Sequence, residues 1–235
     1  AIDVAYANDH GITVCGTNSP STATPELTFA LMLGLARGVV PENTSMRTGG
    51  WQVGLGQDLA GSTLGIIGLG RLGSKVATIA KAFDMRVTAW SQNLTRERCA
   101  ELGVEYMPSK DDLLADADFV TIHQRLSDRT ADMISTDEFK RMKKTAYLIN
   151  TSRGPIIDDA ALIEAVNNRE IAGAGLDVYD IEPLPASHPL RRCDGLLLTP
   201  HLGYVTRHTW DVFYGETVDA IMAWLAGKPV RVITP

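Results

Sequence analysis

Cysteine is scarce in this chain: Cys15, Cys99 and Cys193 are three among 235 residues, with no metal-like spacing. An odd count without metal-like spacing reads as reduced thiols in a cytoplasmic protein. Basic residues are in the minority, 22 Lys and Arg against 28 Asp and Glu, for a net charge of −6. This balance argues against nucleic acid or an anionic membrane as the main partner. No apolar run approaches a transmembrane length, and the opening residues do not read as a signal peptide. Internal repeats and low-complexity stretches are also lacking. What is left, 45% hydrophobic and 21% charged, is the composition of a globular protein able to bury a full core.

The most informative stretch is T-L-G-I-I-G-L-G-R-L-G, Thr63 to Gly73. A β-branched and aliphatic run enters a glycine turn, and Val76, Ile79, Ala80 and Phe83 then recur at helical spacing. Strand, glycine loop and helix in this order form a dinucleotide fingerprint. Gly68 permits the tight turn, Gly70 lets the backbone approach a pyrophosphate, and Gly73 lets helix and strand pack closely. The helix N-terminus offers N–H groups and partial positive charge to the phosphates. A plain strand–helix turn is the bland alternative.

Around it the chain alternates. Residues 11–17 read as a buried strand. Pro25 and Glu26 open a long helix whose apolar residues surround nearly the whole circumference, suiting burial in the core or against another subunit. Residues 48–61 read as a glycine-rich loop. Strands are expected at 86–90, 118–123, 146–150, 172–178 and 195–199, with a stub at V-E-Y-M-P. Helices are expected near 95–102, 110–117, 136–144 and 158–169, and from about Thr206 to Leu225. Ser109 with Asp112 has capping-box character. This rhythm gives a doubly wound parallel sheet, a Rossmann-type α/β fold.

Three groups fall just past strands, where such sheets gather ligand residues. They are Arg153 in N-T-S-R-G-P, Asp177 and Glu182 in L-D-V-Y-D-I-E-P, and His201 in T-P-H-L-G-Y. Each alone has a dull explanation: a surface ion pair, a solvated acid, a helix-entry residue. Together they are consistent with one site. An arginine fork holds a carboxylate and polarises the adjacent carbonyl. A histidine exchanges the proton at the oxygen, and a glutamate bonded to it fixes its tautomer. Beside a nicotinamide, this set suits hydride transfer between a 2-hydroxy and a 2-keto acid.

The ordered motifs P-S-T-A-T-P-E-L-T-F-A-L, G-L-G-R-L-G, N-T-S-R-G, L-D-V-Y-D-I-E-P and P-H-L-G resemble the D-isomer-specific 2-hydroxyacid dehydrogenases over essentially the whole chain. That family includes 3-phosphoglycerate, glycerate and hydroxypyruvate/glyoxylate enzymes. The resemblance implies an NAD(P)-dependent oxidoreductase, with Arg153 binding substrate, His201 as acid/base and Glu182 as its partner. It places Gly68, Gly70, Arg71, Leu72 and Gly73 on the pyrophosphate, Ser91 by the adenosine ribose, and Thr151, Ser152, Asp177 and Gly203 on the nicotinamide side. It implies a homodimer, which suits the apolar helix near residues 25–37. It also divides the chain into a substrate-domain tail at 1–20, an NAD(P)-binding domain at 21–227 and a return segment at 228–235. Most of the family's N-terminal substrate domain is then missing, a domain that closes over substrate and excludes water.

Two further departures from the family stand out. Eighteen residues beyond Gly73, where NAD-binding members carry an acid, stands Ser91, with Arg96 and Arg98 following. The coenzyme is therefore either NAD or NADP. Arg125 in H-Q-R-L replaces a frequent proline, and is expected to face solvent. His10, His188 and His208 read as surface residues, His123 as core or cleft-lining, Cys15 as a buried small hydrophobe, and the tryptophans at 51, 90, 210 and 224 as packing residues. A non-catalytic NAD(H)-sensing module, its occupancy controlling dimerisation, is the rival function, since related corepressors keep the same triad.

Overall fold

The computed structural model describes residues 2–235. Its organising element is a seven-stranded, all-parallel sheet: β1 (Thr63–Ile67), β2 (Arg86–Trp90), β3 (Glu105–Tyr106), β4 (Phe119–Ile122), β5 (Tyr147–Asn150), β6 (Gly173–Leu176) and β7 (Leu196–Leu198). The strand order is β3-β2-β1-β4-β5-β6-β7. The order reverses between β1 and β4, which opens a crevice at their carboxyl ends, the ligand position of doubly wound sheets.

Both faces of the sheet are covered, so its strands are nearly continuous hydrophobic runs rather than alternating ones. On one face Leu64, Ile66, Val87, Ala89, Phe119 and Ile149 pack beneath α2 (Ala23–Ala36) and α4 (Arg71–Ala82). On the other, Ile67, Val120, Ile122 and Leu148 meet α6 (Lys110–Asp116), α7 (Thr136–Arg141) and α8 (Asp159–Asn167). Successive residues of one strand serve opposite cores, as the two-residue side-chain period demands. The short α5 (Arg96–Glu101) joins β2 to β3. Ser109 caps α6 by accepting the N–H of Asp112 at 3.0 Å, as its motif suggests.

Contacts within the chain define two compact units, residues 24–203 and residues 2–23 with 204–235. The helix α9 (Arg207–Leu225) groups with the N-terminal segment because Glu216 accepts the backbone and side-chain N–H groups of Asn18 at 2.6 and 2.7 Å. Within this unit the strand expected at 11–17 shrinks to one antiparallel bridge, Cys15 with Val232. A helix α1 (Val4–Asp9), capped by Asp3, precedes it.

The sequence reading also passed over α3 (Val39–Arg47), whose V-V-P-E-N-T-S-M-R carries no apolar stripe. Its side chains order the following loop: Glu42 accepts the N–H groups of Val53 and Gly54 at 3.2 and 3.0 Å, and Ser45 donates to the Trp51 carbonyl at 2.7 Å. The tryptophan expectation needs correction there, for Trp51 is 70% exposed; Trp210 and Trp224 are exposed too. Cys15 is half-buried rather than buried. No single helix among the described residues is long and apolar enough to cross a membrane.

Candidate functional site

The glycine turn closes the carboxyl end of β1. Gly68 has φ +102°, a conformation that disfavours a side chain, and a Cβ there would lie 2.5 Å from the His123 carbonyl oxygen. Its N–H donates to the Trp90 carbonyl at 2.9 Å, tying the turn to the end of β2. Gly70 is the N-cap of α4, and a Cβ built on it would meet nothing within 4 Å. The turn is thus closed on its protein side and open at Gly70, where α4 begins. Arg71 and Leu72 begin that helix. A pyrophosphate fits this cradle.

His123 closes β4 beside the turn, half-buried, with Nε2 3.0 Å from Thr121 Oγ1. Burial pushes its pKa down to about 4. Arg125 is exposed, as expected. Ser91 follows β2 half-buried.

The N-T-S-R turn leaves β5 held by Asn150, whose Nδ2 donates to the Arg153 carbonyl and whose Oδ1 accepts the Ser152 N–H, both at 2.9 Å. Ser152 Oγ donates to the Ile122 carbonyl at 2.7 Å, and Thr151 Oγ1 lies 3.0 Å from Thr28 Oγ1 on α2. Arg153 emerges exposed. The next residue, Gly154, sets the spacing of two loops. A Cβ there would fall 2.0 Å from the Tyr179 carbonyl carbon, so only glycine lets this turn lie against the loop bearing Glu182.

Asp177, at the end of β6, is buried and fully engaged. Oδ1 accepts Thr199 Oγ1 at 2.5 Å and the Leu202 N–H at 2.7 Å, while Oδ2 accepts the Gly203 N–H at 2.8 Å. It anchors the loop after β7 and thereby positions His201, whose φ of +56° is uncommon for a side-chain-bearing residue and typical of functional loops. His201 Nδ1 stands 2.6 Å from Glu182 Oε2, and Glu182 Oε1 accepts the Tyr179 N–H at 2.9 Å. Partial burial opposes ionisation of Glu182. Hydrogen bonds from His201 and Tyr179, with the charges of His201 and Arg153, outweigh it and hold the carboxyl below its ordinary range.

Arg153, Glu182 and His201 therefore converge at the carboxyl ends of β5, β6 and β7, with a cavity of about 510 Å³ beside the pair that Glu182, His201, Leu198 and Pro200 help to line. Asn150, Thr199 and Tyr179 were missed by sequence reasoning. Asn150 stood inside the quoted N-T-S-R motif, but nothing in the sequence signalled that its amide spans the turn.

The D-isomer specific 2-hydroxyacid dehydrogenase, NAD binding domain, matches residues 29–203. The chain belongs to this family. It is 45% identical to a glyoxylate reductase of Aeropyrum pernix over 97% of its own length and 70% of that protein. Among solved structures it is similar to a phosphoglycerate oxidoreductase from Vibrio cholerae o395, with TM-score 0.90 and 30% identity over 96% of this chain and 73% of that one. It is also similar to a D-lactate dehydrogenase with NAD+ from Lactobacillus jensenii, with TM-score 0.84 and 27% identity over 100% and 75%. For this dehydrogenase family member the doubly wound fold is thus shared across relatives of quite different sequence.

Proposed function

We propose that the protein is an NAD(P)-dependent oxidoreductase that interconverts a small D-2-hydroxy acid and its 2-keto acid. The His201–Glu182 hydrogen bond, with the charge of Arg153 acting on the same carboxylate, is the observation that carries this reading. Gly68, Gly70, Arg71, Leu72 and Gly73 would hold the coenzyme pyrophosphate, Ser91 would meet the adenosine ribose, and Thr151, Ser152, Asp177 and Gly203 would border the nicotinamide. When bound, the coenzyme supplies or accepts the hydride.

Arg153 holds the substrate carboxylate through its guanidinium and draws electron density from the adjacent carbonyl. Glu182 bonds His201 Nδ1, and Nε2 would address the substrate oxygen. In reduction His201 gives its proton to that oxygen; in oxidation it takes one away. The negative charge of Glu182 supports the cationic ring that precedes donation. Asp177, saturated by three bonds, fixes the loop without entering the proton transfer.

The protein is further read as a cytoplasmic homodimer. Val39, Val40, Met46, Trp51, Val53 and Leu55 are exposed, and α3 holds their loop in a fixed shape, which suits a preformed subunit contact. Residues 1–20 are read as the tail of a substrate domain with its crossover, 21–227 as the coenzyme domain and 228–235 as a return segment.

Mixing the protein with reduced coenzyme and a panel of short 2-keto acids tests the function. Coenzyme oxidation matched by 2-hydroxy acid is expected. Saturable coenzyme binding with no turnover on any keto acid would instead favour the sensing module.

A further inference from the structure

We propose that Arg96 forms a subsite for the adenosine 2′-phosphate and makes NADP(H) the preferred coenzyme. This rests on the dinucleotide reading above and extends it to a choice that reading leaves open.

At the carboxyl end of β2, ribose hydroxyls are commonly held by a carboxylate, and a 2′-phosphate by a nearby arginine. Here that position is Ser91, which carries no charge to repel a phosphate. A turn follows, closed by the Leu94 N–H on the Ser91 carbonyl at 3.0 Å, and it brings the chain back to begin α5 at Arg96. The Arg96 guanidinium lies over the Tyr106 ring, 4.6 Å from its centroid.

That contact fixes the side of the sheet on which the cation sits. Tyr106 on β3 is in register with Ala89 on β2, and Ser91 lies two residues beyond Ala89. Residues in register in a parallel pair, and residues two apart on one strand, share a face. Tyr106 and Ser91 therefore face the same side, and Arg96 rests on that side at the carboxyl end of the strands. Stacking engages the flat face of a guanidinium and leaves its edge N–H groups free to form a fork to phosphate oxygens.

Two other arginines nearby are ion-paired. Arg86, at the opposite end of β2, bonds Glu105 at 2.6 Å and also Asp116. Arg98 bonds Glu101 at 3.0 Å. Arg96 makes no ion pair with a carboxylate within 4.0 Å among the described residues. A cation parked on an aromatic ring at an exposed site is weakly held and easily redirected.

The test is a fluorescence titration of the protein with NADPH and with NADH, repeated for Arg96→Gln, Arg98→Gln and Ser91→Asp. Wild type is expected to bind NADPH at least about tenfold more tightly, the scale of a charge-assisted fork. Arg96→Gln should bring the ratio close to one, Arg98→Gln should keep it, and Ser91→Asp should invert it. A wild-type ratio near or below one overturns the subsite, and needs no variant to fold. Loss of the ratio in Arg98→Gln rather than Arg96→Gln would also overturn it. Saturable NADH binding without NADPH preference leaves the dinucleotide reading standing, whereas binding of neither coenzyme removes that reading and the subsite with it.

Discussion

His201 Nδ1 stands 2.6 Å from Glu182 Oε2, and the second oxygen of the same carboxylate is held by the Tyr179 N–H. The carboxylate is thereby aimed from behind while it aims the imidazole. Glu182→Gln keeps the shape but loses the charge. Turnover is expected to fall about a hundredfold or more, with coenzyme affinity little altered. Because the Glu182 carboxyl lies below its ordinary 4.5, it stays ionised until the pH drops beneath that value. The acid limb of the wild-type rate profile that belongs to Glu182 should lie below that pH, and the glutamine variant should lack it.

Two glycines of the coenzyme turn separate binding from folding. A Cβ at Gly70 meets no atom within 4 Å, whereas one at Gly73 falls 2.0 Å from the Gly68 carbonyl oxygen. Gly70→Ala should therefore unfold in urea like wild type yet bind coenzyme weakly, its methyl filling the cradle. Gly73→Ala should lose roughly 1–3 kcal/mol of stability as well, through overpacking against backbone.

Asp159, first in α8, is pushed up to about 6 by burial and by the charge of Asp180, with His188 partly offsetting. The folded protein then binds a proton that the unfolded chain, titrating near 3.8, has already released. Stability contributed by this group is present below that lower value and declines as pH rises through the window to about 6. Asp159→Asn should be close to neutral in urea unfolding at low pH and stabilising by about 1–2 kcal/mol above the window. Equal effects at both pH values would contradict this.

The exposed loop leads to an assembly prediction. Leu55 is fully exposed and Trp51 is 70% exposed, on a segment bonded to Glu42 and Ser45. Leu55→Asp should shift the sedimenting species from dimer to monomer without altering the helical circular dichroism.

Much of this was legible in the sequence, for identifiable reasons. A parallel sheet covered on both faces writes its strands as apolar runs, and Leu64 to Ile67 and Phe119 to Ile122 read that way. The start of α6 was written in its cap at Ser109. The convergence of Arg153, Glu182 and His201 followed from their places after successive strands. Other features depended on contacts distant in sequence. Residues 11–17 looked like a buried strand, yet only Cys15 finds a partner there, Val232 near the far end of the chain. The helix α3 lacks periodicity and owes its visible role to Glu42 reaching eleven residues forward to Val53. His188 read as a surface residue, but it is half-buried and caps its turn by accepting the Leu190 N–H at 3.4 Å.

The most direct test of the central claim compares wild type with His201→Gln in coenzyme oxidation driven by 2-keto acids. Wild type should oxidise reduced coenzyme and release an equal amount of 2-hydroxy acid. The variant should bind coenzyme with similar affinity and turn over at least about a hundredfold more slowly. A His201→Gln protein as active as wild type would contradict the account.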